Sequence, residues 1–166
     1  NIPLADLTGA NWSDFSALVL SPGIPLTHPA PHPVVVCAKQ ANRPVIGDIE
    51  LLAENNDGAV LIGITGTNGK STTSALLHHV LQASGVAVQI GGNFGPPVLG
   101  LTPPETGETV VLELSSYQLD LTQTATFDIA VLLNVTPDHL DRHGDMAGYV
   151  AAKKRIFRTA TDADRQ

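Results

Sequence analysis

Cys37 is the single cysteine among 166 residues. One cysteine excludes an internal disulfide framework and a thiolate zinc site, and its plainest role is a small buried hydrophobe. Charged residues make up only 15%, with 9 Lys and Arg against 16 Asp and Glu, a formal net charge of -7. The basic residues form no stripe, which argues against duplex nucleic acid as a partner. No apolar run approaches the ~20 residues of a membrane-spanning helix. The first residues hold no basic stretch followed by an apolar block, so no secretory signal is expected in them. No internal repeat or low-complexity segment is evident.

What is present is a packed, turn-rich globular composition: 43% hydrophobic residues, 15 Gly and 12 Pro. At about 100–200 residues per domain, the length suggests one domain or two small pieces. The chain starts at Asn1 without Met and stops at Gln166 just after a helical pattern, and it reads as an excerpt of a longer protein.

Two halves separate. In the first, Ala17 to Leu20 is a short apolar strand stopped by Ser21-Pro22-Gly23. Val34 to Ala41 carries both strand and helix signals. Helix is preferred, because Pro33 suits a first turn and Val45-Ile46 supplies the next strand. Ile49 to Glu54 then reads as a short helix opening a new unit. In the second half, Ala59 to Ile64 is an apolar strand and a helix runs to about Ser84. That helix places Ala75, Leu76, Val80 and Leu81 on one face and stops at Gly85. Further strands are expected at Val86 to Ile90, Thr109 to Leu114 and Phe127 to Val135. Continuous apolar strands alternating with helices indicate an α/β fold with a parallel sheet covered on both faces. Ligands of such sheets bind beyond the carboxyl ends of the strands, and polar residues cluster at those ends here.

The strongest local signal is the strand, Gly-rich loop and helix from Leu61 to Ser71. Such a turn aims backbone N–H groups and the positive end of the helix dipole at one point, a phosphate site. Lys70 adds a charge at the terminal phosphates and the Ser71 hydroxyl suits Mg²⁺. The strict phosphate-loop spacing wants Gly six residues before the Lys. Ile64 stands there, so the loop is a variant. The competing reading is a Gly-rich turn that binds nothing.

Glu113 closes an apolar strand, where a carboxylate is costly unless a cation or hydrogen bonds satisfy it. His139 follows another strand end. Either alone would be an ordinary paired polar residue; around one phosphate loop they look like a metal and substrate shell. With Met146 to Ala160 as a helix at 100° per residue, Met146, Tyr149, Val150, Ile156 and Phe157 fall within ~60° of Lys153. Lys153 therefore sits in the middle of an apolar stripe, and Lys154 lies off its edge. A lysine there must snorkel, pair with an acid, or be chemically altered, for instance to a carbamate able to serve a metal.

Five ordered segments now coincide: Gly66-Thr67-Asn68-Gly69-Lys70-Ser71-Thr72, Gly91 to Gly95, Glu113 to Leu119, Asn134 to His143 and Tyr149 to Lys153. Together they resemble the Mur ligases, and the Glu-Leu-Ser-Ser-Tyr-Gln-Leu segment is similar to the branch that adds D-glutamate to UDP-N-acetylmuramoyl-L-alanine. Ser21-Pro22-Gly23-Ile24 and Gly47 to Leu51 resemble the same branch. The resemblance implies that residues 1–47 are the C-terminal part of a Rossmann-like UDP-binding domain. It likewise implies that residues 48–166 are the N-terminal part of a central ATP-binding domain, with the C-terminal amino-acid-binding domain not represented.

By the same resemblance, Gly66, Thr67, Asn68, Gly69, Lys70, Ser71 and Thr72 bind ATP. Ser71 and Glu113 hold one Mg²⁺, and His139 and a carbamylated Lys153 hold a second. Lys70, Glu113, His139 and Lys153 form the catalytic group. Ser21, Pro22 and Gly23 meet the nucleotide-sugar pyrophosphate, while Asn93, Ser115 and Gln118 meet the muramoyl-peptide part. The implied reaction is ATP-dependent amide formation through an acyl phosphate, in cytoplasmic peptidoglycan precursor synthesis. No nucleic acid or membrane partner is implied, the whole enzyme is expected to be a monomer, and these residues alone are expected to be inactive and open to self-association. The rivals are another Mur or folylpolyglutamate-type ligase, and a nucleotide-binding module that switches without ligation.

Overall fold

The computed structural model describes residues 4–159. The first unit is a small parallel pair, β1 (Leu18–Val19) and β2 (Val45–Ile46), joined through helix α1 (Pro33–Gln40). Pro33 occupies the first turn, where its missing N–H costs nothing, and the His32 side chain caps the helix by accepting from the Val34 N–H. Leu18, Leu20, Val35, Ala38 and Val45 pack with Trp12 into one apolar cluster. Cys37 is only partly buried, not fully as expected, and its thiol lies 3.6 Å from the Thr8 carbonyl oxygen.

The second unit opens with α2 (Asp48–Glu54) and builds a four-stranded sheet. Its strands are β3 (Val60–Thr65), β4 (Val88–Gly92), β5 (Thr109–Glu113) and β6 (Ile129–Leu132), in the order β4-β5-β3-β6 and all parallel. Helix α3 (Lys70–Ala83) joins β3 to β4, and α4 (Ser116–Asp120) follows β5. After β6 come α5 (Leu140–His143) and α6 (Met146–Lys154), continued by a 3-10 turn at Arg155–Phe157. Strand alternation sends Ile62, Ile64 and Val111 to the α3 side, against Leu77 and Leu81. Leu61, Val110, Leu112 and Leu114 face the other way, against Ile49, Leu52, Leu119 and Ile156. Both faces are covered, as the continuous apolar strands required.

Several expected boundaries move. The strand expected at Val86 begins at Val88 and runs through Gly91 and Gly92, because the Val86 N–H is spent on the Leu81 carbonyl at the end of α3. The strand expected over Phe127 to Val135 narrows to Ile129–Leu132, and Asn134 turns instead onto the Gly-rich loop. In α3 the apolar face is rotated. Leu77 and Leu81 meet the sheet, while Leu76 and Val80 are 61% and 50% exposed. The last helix ends at Lys154, and tightening to a 3-10 turn changes its phase, so Ile156 is buried and Phe157 is exposed. Ala160, the expected end of that helix, lies outside the described residues.

The two units are fastened together. Gln123 Nε2 donates across to the Val45 carbonyl of the first unit. The segment carrying Gln123 is itself anchored within the second unit by the buried Glu50 carboxylate, which accepts from the Gln123, Thr124 and Ala125 N–H groups and the Thr124 hydroxyl. Leu121 completes the apolar cluster of the first unit.

Candidate functional site

All four strands of the larger sheet are parallel, so their carboxyl ends share one edge. The chain leaves β3 in one direction to reach β4 and lies on its other side as β6, which makes the end of β3 a reversal of strand order. The Gly-rich loop sits there. Gly69 caps α3 at φ +84°, a left-handed conformation that glycine adopts without penalty. The loop is clamped from β6: Asn134 Oδ1 accepts from the Asn68 N–H at 2.9 Å and Asn134 Nδ2 donates to the Asn68 carbonyl at 3.0 Å. Thr67 adds a second tie, exchanging hydrogen bonds with the Thr136 backbone. The Lys70 ammonium folds back over the loop and donates to the Gly66 and Thr67 carbonyls, both at 3.0 Å.

Beside the loop lies a cavity of about 190 Å³, lined by Lys70, Asn93, Ser115, Ser116, Tyr117, Asp138, His139, Tyr149 and Lys153. Larger cavities occur elsewhere, one of about 570 Å³ at the opposite edge of the sheet lined by residues including Val60 and Asp128. Chemistry gathers in the smaller one. Lys153 is 1% exposed; its ammonium donates to Thr65 Oγ1 at 3.2 Å and the Gly66 carbonyl at 2.9 Å, and lies 4.8 Å from the Tyr149 ring centroid. Burial, reinforced by the nearby Lys70 charge and opposed by Asp138, lowers its pKa to about 8. A neighbouring Thr67–Tyr149 hydroxyl pair, 3.1 Å apart, holds the aromatic ring against the loop.

His139 stands at the start of α5 with φ +51°, an uncommon conformation for a non-glycine residue. Its Nδ1 meets the Tyr117 hydroxyl at 3.0 Å, and its Nε2 lies 3.4 Å from Asp138 Oδ2. Burial raises the Tyr117 and Tyr149 pKa values and lowers that of His143, whose Nε2 lies 3.0 Å from Ser116 Oγ.

Glu113, at the end of β5, is 1% exposed. Its Oε1 accepts from Asn93 Nδ2 at 2.8 Å, while its Oε2 is buried with no partner among the described residues. An unpartnered buried carboxylate oxygen is a hard donor suited to Mg²⁺. No three His, Cys, Asp or Glu side chains converge as a metal cluster among the described residues. The donor set therefore fits a cation that takes other oxygens from its ligand.

Of the residues expected from the sequence, Lys70, Asn93, Ser115, His139 and Lys153 line the cavity together. Glu113 reaches it through Asn93, and Ser71 and Thr72 stand exposed on the first turn of α3. Gln118 does not line it: this side chain is buried in a capping box, accepting from the Ser115 N–H at 3.1 Å, and so orients Ser115. The Ser21-Pro22-Gly23 turn lies outside the cavity, tied to α5 by Arg142. Asn134, Tyr149 and Arg142 have no role assigned from the sequence. The position of Asn134 at the end of an apolar strand was the available signal.

Residues 64–165 match the family model described as the Mur ligase middle domain. The chain belongs to the Mur ligase family. A curated relative from Caulobacter sp. (strain K31), named UDP-N-acetylmuramoylalanine--D-glutamate ligase, is 56% identical over 93% of this chain. A relative of the same name from Rhodospirillum rubrum is 52% identical over 95% of it. The chain spans 34% of each of these two relatives. Among solved structures, the Neisseria UDP-N-acetylmuramate:L-alanyl-gamma-D-glutamyl-meso-diaminopimelate ligase matches with a TM-score of 0.50 at 25% identity. That match covers 78% of this chain and 45% of the other. In this Mur ligase chain, no helix among the described residues is long and apolar enough to cross a membrane.

Proposed function

We propose that the protein carrying this chain is an ATP-dependent ligase that joins D-glutamate to UDP-N-acetylmuramoyl-L-alanine. The observation that carries the reading is the gathering of Lys70, Asn93, His139 and Lys153 around one cavity, beside the unpartnered Glu113 oxygen. ATP is a substrate of this reaction. The muramoyl-alanine carboxylate attacks the γ-phosphorus and ADP leaves; the D-glutamate amine then attacks the acyl carbon, losing a proton as phosphate departs. The obstacle is two anions brought together, so cation placement dominates.

Residues 66–72 wrap the phosphates, with the N–H groups at the start of α3, which Asn134 does not hold, pointing to them, and Lys70 exchanges its carbonyl partners for phosphate oxygens. Glu113 and Ser71 are the donors for one Mg²⁺, and His139 with carbamylated Lys153 for a second. Such ions neutralise phosphate and carboxylate charge. The lowered Lys153 pKa supports the modification, since only a neutral amine attacks CO₂. Asn93 and Ser115 meet the muramoyl-peptide part, with Gln118 acting through Ser115. The Ser21-Pro22-Gly23 turn meets the diphosphate. Residues 1–47 then belong to the nucleotide-sugar domain and residues 48–166 to the ATP-binding domain, in a cytoplasmic protein.

The test uses the full-length protein carrying this chain. ADP release should require ATP, Mg²⁺, the nucleotide sugar and D-glutamate together, with product mass confirming the amide. Release with L-lysine or diaminopimelate but not D-glutamate would move the assignment to another Mur ligase. ATP binding without amide formation from any amino acid would favour the switching module.

A further inference from the structure

Ser21, Pro22, Gly23 and Ile24 form a turn in which the Ile24 N–H donates to the Ser21 carbonyl at 2.9 Å. From α5, Arg142 Nη2 donates to the Pro22 carbonyl at 3.0 Å and also to the Ile24 carbonyl. The two hydrogens of one guanidinium nitrogen thus match two carbonyls of the same turn. A trans peptide points its C=O and N–H in opposite directions. Holding the Pro22 carbonyl against Arg142 therefore turns the Gly23 N–H away from it. That N–H has no partner among the described residues, Gly23 is exposed, and its Cβ position has nothing within 4 Å. The same guanidinium lies 5.1 Å from the Tyr117 ring centroid, and the Tyr117 hydroxyl meets His139 Nδ1 at 3.0 Å.

We propose that Arg142 is a positioning residue that holds the Ser21–Ile24 turn with its Gly23 N–H open to a diphosphate, and braces that turn through Tyr117 against His139. This rests on the reading of the turn as the diphosphate contact. Arg142 spends its Nη2 donors on carbonyls and acts through the turn. A lysine keeps the charge but lacks the planar group that spans two carbonyls and covers an aromatic face.

The experiment compares full-length wild type, Arg142→Lys and Arg142→Ala by calorimetric binding of UDP-N-acetylmuramoyl-L-alanine and, separately, of ATP. Thermal unfolding and the KM of each substrate are measured alongside. Loss of the turn's orientation should weaken nucleotide-sugar binding and raise its KM about tenfold in Arg142→Ala, with Arg142→Lys between. ATP affinity should stay within about twofold, which a general loss of structure would not leave intact. Arg142→Lys carries the measurement where Arg142→Ala fails to fold. Wild-type affinity for the nucleotide sugar in the variants overturns the proposal, as does an equal loss for both ligands. If wild type itself binds ATP but no nucleotide sugar, the diphosphate reading of the turn falls, and this proposal with it.

Discussion

Lys70 and Lys153 donate to the same acceptor, the Gly66 carbonyl oxygen, at 3.0 and 2.9 Å. Two ammonium groups on one carbonyl repel, and one of them is buried. An anion at the loop relieves that arrangement by taking Lys70 and screening its charge from Lys153. This crowding of charge is the electrostatic ground for the phosphate site proposed at the loop.

Lys70→Ala in the full-length protein should reduce ADP release more than a hundredfold, about 3 kcal/mol of lost transition-state stabilisation. The fold should survive, since the Lys70 ammonium bonds only to two carbonyls of its own loop, those of Gly66 and Thr67. Near-normal turnover with the nucleotide sugar and D-glutamate present would remove Lys70 from its role.

The buried Lys153 makes a pH prediction. Its pKa falls from 10.5 in the unfolded reference to about 8 in the folded chain. Between those values the unfolded state binds more protons, so stability rises with pH across that window, and the full penalty of the buried cation applies below pH 8. Lys153→Met should therefore unfold at a higher temperature than wild type at pH 7 in CO₂-free buffer, with the difference shrinking towards pH 10. A constant difference across that range would show that Lys153 keeps an ordinary pKa. In the full-length protein Lys153→Ala should be nearly inactive and partly rescued by a short carboxylic acid, while Lys154→Ala should be mild.

The α/β architecture was legible because buried parallel strands are continuous apolar runs, and the loop because glycines and lysine keep a fixed spacing. Lys153 was legible from helical phase alone. The α3 face was not: Ala75, Leu76, Val80 and Leu81 are all apolar, and only packing against the sheet tells that Leu77 and Leu81 face inward. Gln118 likewise offered an amide that could serve substrate or a capping box, and the Ser115–Gln118 spacing suits the box. Arg142 was illegible because its partners, Pro22 and Ile24, lie 120 and 118 residues away.

Glu50 anchors the 123–125 segment to α2 within the second unit through four donors. Glu50→Ala strands three backbone N–H groups and should cost about 3 kcal/mol or more. Glu50→Gln keeps one acceptor and should cost about half as much. Urea unfolding of both variants checks this. Equal, small losses would mean that solvent replaces the carboxylate and that the contact is dispensable.

Gly92 makes a sharper prediction because two independent penalties coincide. Its φ is +107°, and a Cβ there would lie 2.3 Å from the Glu113 carbonyl oxygen, a backbone atom that cannot swing away. The β4–β5 pairing must give way where Asn93 Nδ2 holds Glu113 Oε1. Gly85 is the control, since its φ is +79° with nothing within 4 Å of the Cβ position. Gly85→Ala should cost only the conformational strain, about 1 kcal/mol. Gly92→Ala should cost about 3 kcal/mol or more, and should weaken Mg²⁺-dependent ATP binding about tenfold by displacing the Glu113 carboxylate. Chemical denaturation reads the first effect and calorimetric titration with and without Mg²⁺ the second. Equal stability losses would show that strain alone matters. Unchanged Mg²⁺ dependence in a folded Gly92→Ala protein would separate Glu113 from the metal.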